Sequence, residues 1–167
     1  VLCQMFNWTA ESPASPSYLD CPSSHWAYGY VETALSHDVM DGGGFFRPDD
    51  FITREEMAVM LVRALGYQDL AEGDADASLP FSDVTQNRGY IALAWRIGMT
   101  SGIEEDGQLL FKPTLSATRA EAAAMLVRVY ERYISKVTWL HGFYAVSSYS
   151  QIGLTGAMDA VSLGWAR

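Results

Sequence analysis

The sequence predicts a mainly α-helical protein assembled from tandem two-helix repeats, and three observations carry that prediction. Thr-Arg-x-Glu occurs as Thr53-Arg54-Glu55-Glu56 and again as Thr118-Arg119-Ala120-Glu121. Its surroundings recur in register: Phe46-Arg47-Pro48 with Phe111-Lys112-Pro113, and Met60-Leu61-Val62-Arg63 with Met125-Leu126-Val127-Arg128, each 65 positions apart. Within each copy the apolar residues keep a 3.6-residue period, the mark of a helix that buries one face.

The elements follow in order. Leu2-Cys3-Gln4-Met5-Phe6-Asn7-Trp8 aligns with Leu61-Val62-Arg63-Ala64-Leu65-Gly66-Tyr67, so residues 1–8 read as the end of a truncated repeat. The Pro- and Ser-rich residues 9–17 read as a linker ahead of a full repeat at 18–67. In its first helix Val31, Ala34, Leu35 and Val39 fall at i, i+3, i+4 and i+8. Its second helix opens with a capping box, in which the Thr53 hydroxyl accepts from the amide three residues on while Glu56 reaches back. Met57, Met60, Leu61, Ala64 and Leu65 continue its apolar stripe. The acidic residues 68–80, with Glu72, Asp74 and Asp76, read as a second linker, and 81–133 as a second repeat. There Ile91, Ala94, Trp95, Gly98 and Met99 repeat the first stripe, Thr118 and Glu121 repeat the cap, and Ala122, Met125, Leu126, Val129 and Tyr130 repeat the second stripe. Upstream the offset is 60, with Gly29-Tyr30-Val31 matching Gly89-Tyr90-Ile91, so the second copy carries five more residues around 104–109. That insertion reads as a loop.

These residues resemble the S-layer homology domain of bacterial surface proteins. The pattern has an aromatic and an Asp at its start (Tyr18-Leu19-Asp20; Phe81-Ser82-Asp83-Val84), a Trp at the head of the first helix (Trp26) and a small residue within it (Ala34; Ala94). A Gly follows (Gly42; Gly102), then Phe-x-Pro and Thr-Arg-Ala-Glu. The resemblance covers about residues 1–133. Two departures stand out: Glu55 occupies the position of the family's Ala, and the second copy has no Trp, with Gln86 or Tyr90 in that neighbourhood.

The resemblance implies that such repeats pack as a pseudo-threefold helical prism whose grooves hold an anionic, in some cases pyruvylated, secondary cell-wall polysaccharide. Arg54 and Arg119 would then meet the polymer's acidic groups, Asp20 and Asp83 would accept from sugar hydroxyls or orient the site, and Trp26 would supply an apolar platform. Gly42 and Gly102 would let the backbone approach the ligand. The forked donors of Arg suit a carboxylate or ketal acid. Each residue also has a structural reading. Asp20 and Asp83 suit a helix cap or turn, Trp26 suits the core, Gly42 and Gly102 suit helix C-caps, and Thr53, Glu56, Thr118 and Glu121 are foremost caps. A structural Arg in a first helical turn opposes the macrodipole, so it needs a nearby carboxylate.

Residues 137–166 leave the repeat. Val137-Thr138-Trp139-Leu140-His141-Gly142-Phe143-Tyr144-Ala145-Val146 and Met158-Asp159-Ala160-Val161-Ser162-Leu163-Gly164-Trp165 read as two β-strands, with a turn of helix around 149–154 between them. Strand, connection, strand is how a parallel barrel begins, and the segment resembles the opening of a family 18 glycoside hydrolase. That family's Asp-x-x-Asp-x-Asp-x-Glu signature is absent from the sequence, so a truncated α/β barrel segment at 137–167 without catalytic residues is expected, packed loosely on the prism.

The net charge of −9 argues against nucleic acid, whose binders carry basic stripes, and requires any anionic glycan to be met by local positive groups. No apolar run approaches the length of a membrane span. His25, His37 and His141 are scattered, no Cys-x-x-Cys or His-Glu-x-x-His occurs, and no cofactor or metal is expected. Cys3 and Cys21 suit either a disulfide or two buried thiols. The functional reading is a non-enzymatic anchor at the extracellular bacterial wall. The alternatives are the tether of a family 18-like surface hydrolase attached in cis, or a helical repeat that binds protein.

Overall fold

The computed structural model describes residues 1–131 and the backbone of 141–145 and 160–164. The chain divides into two units, Val1–Tyr130 and Glu131–Arg167.

The first unit is built from the predicted helix pairs. Helix α1 is Leu2–Met5, α2 is Tyr28–Ser36, α3 is Arg54–Ala64, α4 is Gln68–Glu72, α5 is Arg88–Arg96 and α6 is Arg119–Val129, with strands β1 (Ile103–Glu105) and β2 (Gln108–Leu110) between α5 and α6. Both α3 and α6 start where their capping boxes place them. Thr53 Oγ1 accepts from the Glu56 amide and Thr118 Oγ1 from the Glu121 amide, while each Glu accepts from its Thr backbone amide at 2.8 Å.

The helices end by a shared device. After α1, α2, α3 and α5 a residue turns left-handed: Asn7 (φ 55°), Asp38 (φ 56°), Gly66 (φ 74°) and Gly98 (φ 73°). In each case two amides fold back on the last turn, as Asp38 N–H does to Leu35 and Val39 N–H to Ala34; this is a Schellman motif. Asn7 and Gly66 occupy matched places, which agrees with the alignment of residues 2–8 on 61–67. The C-cap reading of Gly42 and Gly102 is thereby corrected, since the caps lie four residues earlier. Gly102 (φ 74°) instead sits where a β-carbon would stand 2.5 Å from the Phe81 ring.

The predicted stripes bury Val31, Ala34, Val39, Met57, Leu61, Ile91, Ala94, Met99, Met125 and Val129. Two stripe members are exposed, Trp95 at 39% and Tyr130 at 48%, and the remaining ones, such as Leu35, Met60 and Leu126, are half-buried. Phe111, Ala58 and Val62 are fully buried although no stripe contains them. Helix α3 is covered on a second side because α5 of the following repeat lies against it.

Two segments read as irregular are ordered. Residues 68–80 contain α4, which packs on α5. The insertion forms an antiparallel hairpin, with Ile103 opposite Leu110 and Glu105 opposite Gln108. Asp106 (φ 51°) and Gly107 (φ 75°) make its turn, the Asp-Gly chemistry that a type I′ hairpin requires.

In the second unit β3 (His141–Ala145) and β4 (Ala160–Gly164) pair in parallel, His141 opposite Ala160 and Ala145 opposite Gly164. Both fall inside the stretches read as strands. The helical turn expected at 149–154 and the expected packing of this segment on the prism lie outside the described residues.

Gly89 fixes how closely α4 approaches α5, because a β-carbon there would stand 1.8 Å from the Ala71 carbonyl oxygen, whereas at Gly29 the nearest atom is 3.1 Å away. Gly89→Ala is expected to cost about 1–3 kcal/mol by overpacking, read as a drop of several degrees in thermal midpoint by circular dichroism. Gly29→Ala is expected to shift it much less.

Candidate functional site

The site is assembled where one repeat meets the next. Asp83 accepts from the Phe111 amide at 2.9 Å and from the Lys112 amide at 2.7 Å. This holds Lys112 in a left-handed conformation (φ 57°) and fixes the Phe111 carbonyl. Arg54, at the first turn of α3, donates from Nε to that carbonyl at 2.8 Å and lays its guanidinium 5.4 Å from the Phe111 ring centroid. Its Nη1 pairs with Glu121, whose other carboxylate oxygen serves the capping box. The backbone joins in: Arg54 N–H donates to Leu115, Glu55 N–H to Pro113 and Ala117 N–H to Ile52, around a bridge between Thr53 and Ser116. Glu55, a departure from the family pattern, accepts from Asn87 Nδ2 at 2.8 Å. It therefore has a place in the same junction.

The matching position in the first repeat has the same frame and a different occupant. Asp20 accepts from the Phe46 and Arg47 amides, both at 2.7 Å, and Arg47 is left-handed (φ 60°). Glu56 is met by Arg47 of its own repeat at 2.5 Å, an exposed pair. A groove enclosing about 440 Å³ lies here, lined by Tyr18, Phe45, Phe46, Phe51, Glu56 and Met60 among others. Phe45 and Phe51 are 69% and 84% exposed.

The candidate residues thus fall into distinct settings. Arg54 and Asp83 come together through Phe111. Asp20 builds the equivalent frame in the first repeat, where the turn reading of both aspartates is met by their paired amide contacts. Arg54 is 5% exposed and its donors are engaged within the protein, the carboxylate it needs being Glu121 of the following repeat. Arg119, its counterpart, is exposed, and its side chain has no hydrogen bond or ion pair among the described residues. Trp26 is 80% exposed, which removes it from the core, and Gly42 is also exposed. Sequence reasoning missed Phe111, Arg47 and the aromatic walls of the groove, although the recurrence of Phe46 and Phe111 was a signal for the first.

Electrostatics follow the geometry. Burial pushes the Asp20 carboxyl up, but the Phe46 and Arg47 amides outweigh it and hold it below the usual range. The Thr118 amide and hydroxyl, with Arg54, lower Glu121 against a smaller effect of burial. At Glu56 burial is outweighed by the Thr53 amide and hydroxyl and by Arg47. Cys3 and Cys21 are buried free thiols, which settles the disulfide alternative against a bond. Among the described residues no cluster of three metal-binding side chains occurs, and no helix is long and apolar enough to cross a membrane.

The comparisons add the following. Residues 17–58 match the family model of the S-layer homology domain. The chain is similar to an endoglucanase of Bacillus sp. (strain KSM-635), 32% identical over 73% of this chain and 12% of that protein. It is similar to the S-layer protein EA1 of Bacillus anthracis, 30% identical over 70% of this chain and 13% of that protein. It also resembles a cellulosome-anchoring protein of Acetivibrio thermocellus, 27% identical over 74% of this chain and 28% of that protein. The chain therefore spans less than a third of the length of any of these three relatives. The family 18 glycoside hydrolase resemblance of residues 137–166 finds no support in these comparisons.

Arg54→Ala is expected to destabilise the first unit by about 2–3 kcal/mol, since it removes a charge-assisted bond and leaves the Phe111 carbonyl and Glu121 without their donor. Arg119→Ala is expected to stay within about 0.5 kcal/mol of the parent; chemical denaturation measures both. The lowered carboxylates also set a pH dependence. Their folded pKa lies below the unfolded value, so their contribution is full above the usual carboxylate range near about 4 and fades as pH falls through the folded values. Thermal midpoints should decline as pH drops below about 4, and Asp20→Asn with Glu121→Gln should flatten that decline.

Proposed function

The chain carries an S-layer homology domain at residues 17–58, and from that premise we propose that it is a noncovalent anchor of a bacterial surface protein. It holds its cargo at the extracellular face of the cell wall by binding an anionic secondary cell-wall polysaccharide between repeats. The domain match carries the reading. The names of the relatives, an S-layer protein and a cellulosome-anchoring protein, support a surface setting.

The geometry divides the roles. Arg119 offers a solvent-facing guanidinium with no partner among the described residues, suited to the forked recognition of an acidic group. Trp26 offers an exposed indole against which a sugar's C–H face can lie. Asp20, Asp83 and Arg54 act by building the two frames, and Gly42 leaves the backbone there exposed. Gly102 serves in the second frame by admitting Phe81. The junction between repeats, used once more, is the unit of a pseudo-threefold prism. The module itself is not catalytic. The endoglucanase among the relatives makes a glycan hydrolase one cargo that such an anchor would hold.

Cosedimentation with purified wall sacculi, before and after removal of their secondary polymer, tests the proposal. Polymer-dependent binding is expected, weakened about tenfold or more by Arg119→Ala, the size of a lost charge-assisted hydrogen bond, and weakened also by Trp26→Ala. Binding that survives stripping of the polymer, or a folded protein that never binds, would overturn it. Salt-insensitive capture by a wall protein with no affinity for the glycan would favour the protein-binding alternative.

A further inference from the structure

The head of α2 is held by an imidazole. Its N-cap, Ala27, supplies no capping side chain, and the Ala27 amide donates to Nδ1 of His25 at 3.2 Å. Nδ1 stands as many bonds from the backbone as the side-chain oxygen of Asn or Asp, so His25 closes across two residues the turn that those residues otherwise close. The backbone of His25 is fixed as well: its amide donates to the Pro22 carbonyl at 2.8 Å and its carbonyl accepts from the Tyr28 amide at 3.0 Å. Trp26 lies inside this turn. It is 80% exposed, and the ring contact it makes among the described residues is with His25, at 5.9 Å between centroids. In the second repeat Thr85 and Gln86 stand where His25 and Trp26 stand in the first, so the repeat without the indole is also without the imidazole.

We propose that His25 is the positioning residue of Trp26 and a pH switch at that place: protonation of its imidazole opens the turn and loosens the indole, so this repeat holds glycan less tightly in mild acid. The binding consequence rests on the reading of Trp26 as a sugar platform. Two effects act in the same direction. A bond accepted by Nδ1 requires the neutral ring with its proton on Nε2; once Nδ1 is protonated it is a donor, and the Ala27 amide loses its acceptor. The imidazolium also stands at the positive end of the nine-residue α2, where a cation is disfavoured. The titratable groups about the ring are Cys21, whose Sγ lies 4.0 Å from Nδ1, and the Asp20 and Glu32 carboxylates near that thiol. Asp20 is engaged by the Phe46 and Arg47 amides and Glu32 by the Ser17 amide and hydroxyl. Among the described residues no carboxylate pairs with His25 to favour its charged form in the closed turn.

Two readouts on the full chain test this. Nitrogen-proton NMR correlation at about pH 8, the upper end of the range in which histidine changes charge, should show His25 with Nδ1 bare and Nε2 protonated. As pH falls to about 5, the Ala27 amide and the Trp26 indole N–H should shift together with the imidazole. A proton on Nδ1 at the higher pH, or an Ala27 amide indifferent to the titration, would overturn the proposal without any glycan present. The second readout is cosedimentation with wall sacculi carrying their secondary polymer at the same two pH values. The parent should bind about three- to tenfold more weakly in acid, the factor for one hydrogen bond. His25→Ala should bind weakly at both values. His25→Asn keeps an acceptor for Ala27 that does not titrate, so it should bind as the parent does at the higher pH and lose the pH dependence. His25→Asn that keeps the parent's pH dependence, or His25→Ala that binds like the parent, would also overturn the proposal. Absence of polymer binding at either pH counts against the anchor reading instead, and the NMR titration still decides the switch.

Discussion

The first unit depends on a buried cation. Arg54 is almost fully withdrawn from water, and a guanidinium in that position is tolerated only when its charge and its donors are answered. Three groups from the following repeat answer it: the Phe111 carbonyl, the Phe111 ring and the Glu121 carboxylate. None of them is local to Arg54 in sequence. The two repeats are therefore not beads on a string, because the first turn of α3 is satisfactory only if the second repeat is folded beside it. Arg54 also sits at the positive end of its own helix, where a cation is disfavoured. Glu121 offsets that penalty while closing the start of α6, so one carboxylate serves a cap and a junction at once.

The frame that presents Phe111 is itself strained and held. Arg47 and Lys112 adopt left-handed backbone without being glycine, a conformation that costs of order 1–3 kcal/mol unless the surroundings impose it. Asp20 and Asp83 impose it, each with two charge-assisted bonds to consecutive amides. The spacing between the Asp and its turn differs by only a few residues in the two copies, and the hairpin β1–β2 absorbs the difference. Repetition of the sequence thus reproduces the frame, while its environment differs: Phe111 is fully buried under Arg54, and Phe46 borders an open groove.

Much of this was legible in the sequence, and the parts that were not share a cause. The repeat, the two capping boxes and the inward stripes are local or periodic patterns, and they locate the starts of α3 and α6 to the residue. Sequence does not separate Arg54 from Arg119, or Val62 from Val127, because the members of each pair hold the same place in the repeat. One member of each is buried and the other exposed, and the difference is made by what lies alongside. Asp106-Gly107 carried a hairpin signal that the acidic context of the insertion obscured. Helix α4 is five residues long and polar, too short for periodicity to announce it, and its place is set by the absence of a side chain at Gly89. Trp95 and Tyr130 kept the period and still reached solvent, since a stripe names the face and not how far the neighbouring element extends over it.

The same accounting explains how an acidic chain can present an exposed cation at Arg119. With a net charge of −9, the general field repels an anion, and only a local group can overcome it. Among the described residues nearly every cation is already engaged. Arg47, Arg54, Arg63, Arg96 and Lys112 hold carboxylates, and Arg88 and Arg128 donate to backbone carbonyls. Arg119 stands apart because among the described residues no carboxylate meets it, whereas Arg54 is met by Glu121 of the following repeat. An unanswered guanidinium at the end of an otherwise neutralised set is selective by default, since an incoming carboxylate need not displace an internal one to reach it. A carboxylate brought to Arg119 from outside would meet the physical demand that Glu121 already meets for Arg54 inside the fold.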